Sequence, residues 1–165
     1  MALFVRELDA LDAQVLPGTE GAALPFWSPD SRSLGFGVQG TLKRIEVSGG
    51  PPQTVCDTRG FLTGGTWNAD GVIVFASTPG PLKRVLASGG VPTDVTTLKG
   101  PQETQHVLPA FLPDGRHFLF AGGDPQNPSI EVASLDSQER VPVLKTVSNF
   151  ATPRPGTCSF TATAP

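Results

Sequence analysis

The sequence has little of what most chemistry needs. Two histidines and two cysteines, Cys56 and Cys158, are scattered over 165 residues. Zinc centres gather Cys and His at short spacing; no such cluster is written here, so no metal and no cofactor are expected. There is no Gly-x-Ser-x-Gly elbow, and neither His106 nor His117 can be tied to a particular Ser as nucleophile and base. Charged residues are only 16%, the net charge is −3, and no acidic or basic run occurs. Nucleic-acid binding leaves an electrostatic footprint of clustered Lys and Arg, so that class is excluded. No stretch approaches 18 apolar residues, the length a membrane span requires. The first eight residues lack the basic region and long apolar run of a secretory signal, so the sequence assigns no compartment. The two cysteines sit in dissimilar contexts, so their spacing argues for no disulfide, and two unpaired thiols are the expectation with a disulfide left open.

What the chain has in plenty is turn residues, 19 Gly and 17 Pro, and they recur at matching places. Forty residues separate Trp27 from Trp67. The same interval separates Leu42-Lys43-Arg44-Ile45 from Leu82-Lys83-Arg84-Val85, and Ser48-Gly49-Gly50 from Ser88-Gly89-Gly90. A period near forty with strand patterning points to β-propeller blades. In the first clear unit, residues 24–28 read as a short strand ended by the Pro29-Asp30 turn. Leu34, Phe36 and Val38 then alternate with period two, placing them on one face. The second unit repeats the order around Trp67 and Asp70. The third sets Phe111 where the tryptophans stood, followed by Asp114 and the strand of His117 to Phe120. Leu3 to Asp9 matches Ile130 to Asp136 in apolar pattern, so the chain should open with the outer half of an earlier blade.

These observations predict an all-β segment of about three to four four-stranded antiparallel blades. The expected divisions are 1–21 (outer half-blade), 22–58, 59–98 and 99–146 (blades) and 147–165 (incomplete blade or disordered tail). Propellers typically close with four to eight blades, so the segment should be a fragment or open arc of a larger one. Self-association through open blade edges is expected.

The recurring core Phe26-Trp27-Ser28-Pro29-Asp30, Trp67-Asn68-Ala69-Asp70-Gly71 and Phe111-Leu112-Pro113-Asp114-Gly115 resembles the repeat of TolB-type, WD-repeat-like propellers. The likeness covers residues 3 to 144. Relatives of that type often face the periplasm; nothing in this chain separates periplasm from cytoplasm. A narrower likeness rests on Leu-Pro-Gly-Thr-Glu-Gly at 16–21, Ser-Gly-Gly-Pro-Pro at 48–52 and Gly-Gly-Thr-Trp-Asn at 64–68. These runs look like bacterial proteins that join a Ser/Thr kinase domain to a C-terminal propeller. That resemblance implies the sensor or scaffold half of a signalling protein. The kinase's Gly-rich loop, catalytic loop and Asp-Phe-Gly are not in this chain.

Asp30, Asp70 and Asp114 stand in register, which suits turn capping better than a ring of cation ligands. The four Gly-Gly pairs are not followed by helices, so they read as turns and not phosphate loops. Lys43-Arg44 and Lys83-Arg84 read as a solvated face. Binding is expected on three loops, 57–65, 99–106 and 121–129, because loops on a rigid scaffold carry recognition. The candidate contact residues are Arg59, Glu103, Gln105, His106, Asp124 and Asn127, with a protein or small ligand as partner. Two other readings stay open: an accessory propeller of a prolyl-oligopeptidase-like hydrolase, and a truncated fragment without independent function.

Overall fold

The computed structural model describes residues 2–9, 11–124 and 127–145 of the chain, without the side chains of 124, 127 and 145. The expectation for residues 147–165, and Cys158 with it, lies outside the described residues.

Among the described residues, fourteen strands form four antiparallel sheets. The first sheet has two strands, β1 (Phe4–Val5) and β2 (Gln14–Val15). The second runs β3 (Ala23–Trp27), β4 (Ser33–Val38), β5 (Thr41–Glu46) and β6 (Gln53–Asp57) in sequence order. The third repeats this with β7 (Phe61–Trp67), β8 (Val72–Thr78), β9 (Leu82–Leu86) and β10 (Thr93–Asp94). The fourth consists of β11 (Val107–Phe111), β12 (His117–Asp124), β13 (Asn127–Ser134) and β14 (Ser137–Lys145). Each four-stranded sheet is a plain meander, and β3, β7 and β11, the first strands, lie side by side.

The hydrophobic core lies in the seams between sheets. Leu3 and Leu16 of the first sheet meet Leu34, Phe36 and Ile45 of the second. Leu42, Val55 and Cys56 of the second meet Ile73, Phe75 and Val85 of the third. Val74, Ala76, Leu82 and Val95 of the third meet Phe118, Phe120 and Ala133 of the fourth. A strand inside the array is therefore buried on both faces: Ile73 and Phe75 pack toward one neighbour, Val74 and Ala76 toward the other. Alternation in the sequence marks one apolar face of β4, and Gly35 and Gly37 on the other face are buried as well.

Those glycines correct one reading. Gly64-Gly65 and Gly122-Gly123 are strand residues, not turns. Gly65 is needed because the Phe26 ring occupies the space a Cβ would take, 2.2 Å away. Gly64 sits at φ +142 in a bulge of β7. Leu24 and Leu108, the residues at the same place in β3 and β11, also have positive φ, 50° and 55°, beside register shifts of their own.

The aspartate turns behave as caps in two of three units. Asp30 accepts from Ser28 Oγ at 2.6 Å and from the Arg32 N–H at 3.1 Å. Asp114 accepts from the N–H groups of Arg116 and His117, both at 2.9 Å. In the middle unit Asn68 takes this role, accepting from the Val72 N–H at 2.8 Å. Lys83 pairs with Asp94, and Arg84 donates to the Leu135 carbonyl of the next sheet at 2.8 Å. No helix among the described residues is long and apolar enough to cross a membrane.

Candidate functional site

Meander topology sends the β4–β5, β8–β9 and β12–β13 hairpins to the same end of the sheets as the connections that lead into β7 and β11. Hydrogen bonds tie these segments in series. The Thr58 N–H donates to the Gly40 carbonyl at 2.8 Å, and Ser77 Oγ donates to the Thr58 carbonyl at 2.5 Å. Gly80 donates to the Thr104 carbonyl at 3.1 Å and accepts from the His106 N–H at 3.0 Å. The Gly123 N–H then donates to Glu103 Oε1 at 2.9 Å. This end of the array is the candidate recognition face.

Its expected residues divide into two groups. Arg59 and Gln105 are exposed, and Arg59 sits at a positive φ of 56° in the short connection 58–60. Asp124 and Asn127 face each other across the last pair of the β12–β13 hairpin. Glu103 and His106 are instead buried, at 5% and 0% exposure. The loops also differ from expectation. Residues 61–65 belong to β7 and residues 121–124 to β12, because the strands run on past the points where glycine suggested turns.

Glu103 and His106 form a buried polar cluster with Arg140, Glu131 and Thr96. Arg140, from β14, forks onto Glu103, Nη1 donating to Oε1 at 2.8 Å and Nη2 to Oε2 at 2.5 Å. The Lys99 N–H completes the cage on Oε2 at 2.5 Å. Paired, bidentate contacts of this kind are the strong ones in a low-dielectric setting. Burial raises the Glu103 pKa, but the Arg140 fork and the N–H groups of Lys99 and Gly123 outweigh it and hold the carboxyl at about 2. Glu131 lies 3.4 Å from Arg140 Nη1 and accepts from Ser129 Oγ at 2.9 Å.

His106 has its tautomer fixed by its neighbours. His106 Nε2 lies 2.6 Å from Arg140 Nη1 and 3.2 Å from Glu103 Oε1; the guanidinium can only donate, so the shorter contact assigns Nε2 as acceptor. The ring proton then sits on Nδ1 and is donated to Thr96 Oγ1 at 2.7 Å. Thr96 Oγ1 also accepts the Leu82 N–H at 2.9 Å, which anchors the loop start to β9. The ring packs at 4.7 Å against Phe120 and comes within 3.0 Å of where a Gly122 Cβ would stand. Burial pushes the His106 pKa below its usual 6.5; Glu103 opposes that, and Arg140 adds to it.

The cluster therefore acts as a clamp. It fixes residues 96–106 between the third and fourth sheets and leaves Gln105 outward. The sequence did not single out Arg140, Glu131 and Thr96. The available signal was an acid on the same face of β13 as Ala133, where an apolar residue is the norm. Phe61, 83% exposed and two residues after Arg59, adds an apolar group at the start of β7, as Leu108, 63% exposed, does near the start of β11.

No family model matches the chain, and no curated protein matches it. Solved structures do. The chain is similar to a TolB from Agrobacterium tumefaciens, with a TM-score of 0.74 and 14% identity over 87% of this chain and 56% of that one. The fold is that of β-propeller blades. A chain of a nidogen/laminin complex follows at TM-score 0.69 and 11% identity, covering 82% of this chain and 53% of that one. One of two prolyl endopeptidases matches at TM-score 0.54 and 18% identity, over 87% of this chain and 24% of that one. The propeller arc thus spans little more than half the length of the first two.

Proposed function

We propose that this chain is a non-catalytic, protein-binding propeller module that recognises its partner with the loop face. Arg59, Phe61, Gln105, Asp124 and Asn127 make the contact, and residues 22–58, 59–98 and 99–146 serve as its blades. The observation that carries this reading is the Glu103–Arg140 clamp. It holds a loop with exposed polar residues rigidly on a β scaffold, and pre-ordering of contact groups lowers the entropic cost of binding. Exposed aromatics, Phe included, and arginine are enriched at protein interfaces. Glu103 and His106 are positioning residues in this reading, not contacts. The protein complex in which one similar propeller was solved is in keeping with a protein partner.

The test is a peptide-display selection against the immobilised chain. Selected peptides should lose at least tenfold in affinity to the Arg59→Ala and Phe61→Ala variants. They should be indifferent to Asp70→Ala, at the opposite end of the sheets. The reverse pattern sinks the proposal.

The finer assignment, the sensor half of a kinase-linked bacterial signalling protein, is supported by the sequence runs at 16–21, 48–52 and 64–68. The second reading, an accessory propeller of a hydrolase, is supported by the prolyl endopeptidase match. Sequencing the surrounding reading frame separates them, since one needs a kinase domain and the other a Gly-x-Ser-x-Gly elbow.

A further inference from the structure

The polar cluster that fixes residues 96–106 holds an uneven set of charges. Two carboxylates, Glu103 and Glu131, face one guanidinium, Arg140, and none of the three is more than 9% exposed. With His106 neutral, the cluster is one positive charge short. Buried charges are stable when paired and hydrogen-bonded, and the shortfall falls on one atom. Glu131 Oε2 is buried without a hydrogen bond, 3.4 Å from Arg140 Nη1. Arg140 Nε is likewise buried without one. Of the three such atoms among the described residues, two therefore belong to this cluster.

His106 is the group that can supply the missing charge. Glu103 faces its ring from the same loop, Arg140 from β14, and Glu131 acts on it from β13. Phe120 and Gly122 of β12 touch it without titrating, and Thr96 and Gly80 add only neutral partners. Thr96 Oγ1 takes the Nδ1 proton, so a second proton enters at Nε2. That atom stands 2.6 Å from Arg140 Nη1 and 3.2 Å from Glu103 Oε1. Once protonated it cannot accept from the guanidinium, whereas the carboxylate beside it can only accept.

We infer that His106 is a proton-driven switch regulating the recognition face: the protonated Nε2 donates to Glu103 Oε1, and the Arg140 guanidinium passes to Glu131 Oε2. Two carboxylates then face two cations, and each carboxylate has a partner of its own. The movements are small, because the acceptors concerned are already 3.2 and 3.4 Å away. Burial disfavours the imidazolium, so the exchange takes place below pH 6.5, while Glu103, held at about 2, stays ionised throughout.

The exchange matters for the loop. In the neutral state Arg140, on β14, ties Glu103 and its loop to the fourth sheet. In the acid state Arg140 and Glu131 both belong to that sheet, and Glu103 and His106 both lie ahead of it. Of the ties from Glu103 to the sheet, the Gly123 N–H remains. Gln105 then loses the rigid support on which its contact depends, a step that rests on the loop face being the recognition surface.

The test is an NMR titration of the full chain, isotope-labelled, from about pH 8 to about pH 4.5. The His106 ring nitrogens follow the proton, and the Arg140 side-chain nitrogens and the Glu131 carboxyl carbon follow the exchange. One inflection below pH 6.5 should be common to all three, with the remaining amide spectrum still dispersed. Glu131→Gln removes the surplus charge; the His106 inflection should then fall by about one pH unit, and the Arg140 signals should no longer follow it. Selected peptides that lack His should weaken about tenfold across the same inflection, and His106→Gln should abolish that pH dependence. An inflection at the Glu131 carboxyl without one at His106 overturns the switch. So does a His106 titration that leaves Arg140 unmoved, or one that appears only as the chain unfolds. Exchange of partners with unchanged peptide affinity overturns the regulation, while the Arg59→Ala and Phe61→Ala losses, read at about pH 7.5, judge the recognition face independently.

Discussion

The ring of Phe26 lies in the plane of contact between two glycines, with its atoms 2.4 Å from the Cβ position of Gly35 and 2.2 Å from that of Gly65. One aromatic thus fills the space of two missing side chains, one on its own sheet and one on the next. Gly65→Ala should destabilise the fold by about 1–3 kcal/mol, the usual cost of overpacking a filled site. Because Phe26 is the obstacle, Phe26→Leu should recover part of that loss, and a double-mutant cycle by urea denaturation reads the coupling. Additive effects would refute the contact.

Arg140→Met leaves Glu103 buried without its counter-charge. Removal of one partner of a buried pair costs about 3–5 kcal/mol. Glu103→Gln combined with Arg140→Met should lose less than Arg140→Met alone, because Gln carries no charge to leave buried and its one oxygen still accepts from either the Lys99 or the Gly123 amide. Midpoints of chemical unfolding rank the two. If the single variant is the more stable, the clamp is not what holds residues 96–106.

Acid should weaken the fold in two stages. His106 is held neutral, with its pKa below the usual 6.5 chiefly by burial. The unfolded chain therefore binds a proton that the folded chain refuses, and stability falls as pH drops below about 6.5. Glu103, depressed to about 2, contributes stability that is complete above its ordinary 4.5 and is lost as pH falls toward 2. Urea midpoints between pH 8 and 2 check both. His106→Gln should flatten the upper stage and leave the lower one in place.

The Cys56 thiol should be inert in the folded chain. Burial first, then the neighbouring Asp57, raise its pKa to about 11, so little thiolate exists at pH 8. In a Cys158→Ser background, a thiol reagent at pH 8 should label Cys56 only as fast as the chain opens. Rapid labelling under native conditions would contradict the packing of β6 against the third sheet.

The blade pattern was legible because turns and seam residues are local. Trp27, Trp67 and Phe111 each sit at the same point of a first strand, and the Asp turns follow them within three residues. The recognition loops were misjudged where glycine serves close packing instead of turning: Gly65 yields to Phe26, and Gly122 to the His106 ring. The clamp was not legible at all. Glu103 and Arg140 are 37 residues apart in the chain and meet only after β11 to β14 have formed. A glutamate in a Gln-rich loop reads as solvated until its partner arrives.

Placing every apolar cluster between neighbouring sheets has a consequence for how such a chain can change in length. Each unit presents one face to the sheet before it and one to the sheet after it, and every junction among the described residues is a hydrophobic seam. A stretch of roughly forty residues can then be added or lost by recombination while its neighbours meet equivalent surfaces, as nearest-neighbour coupling in repeat proteins allows. Chain length becomes a variable that heredity can adjust in whole steps, with the cost concentrated at the two terminal sheets.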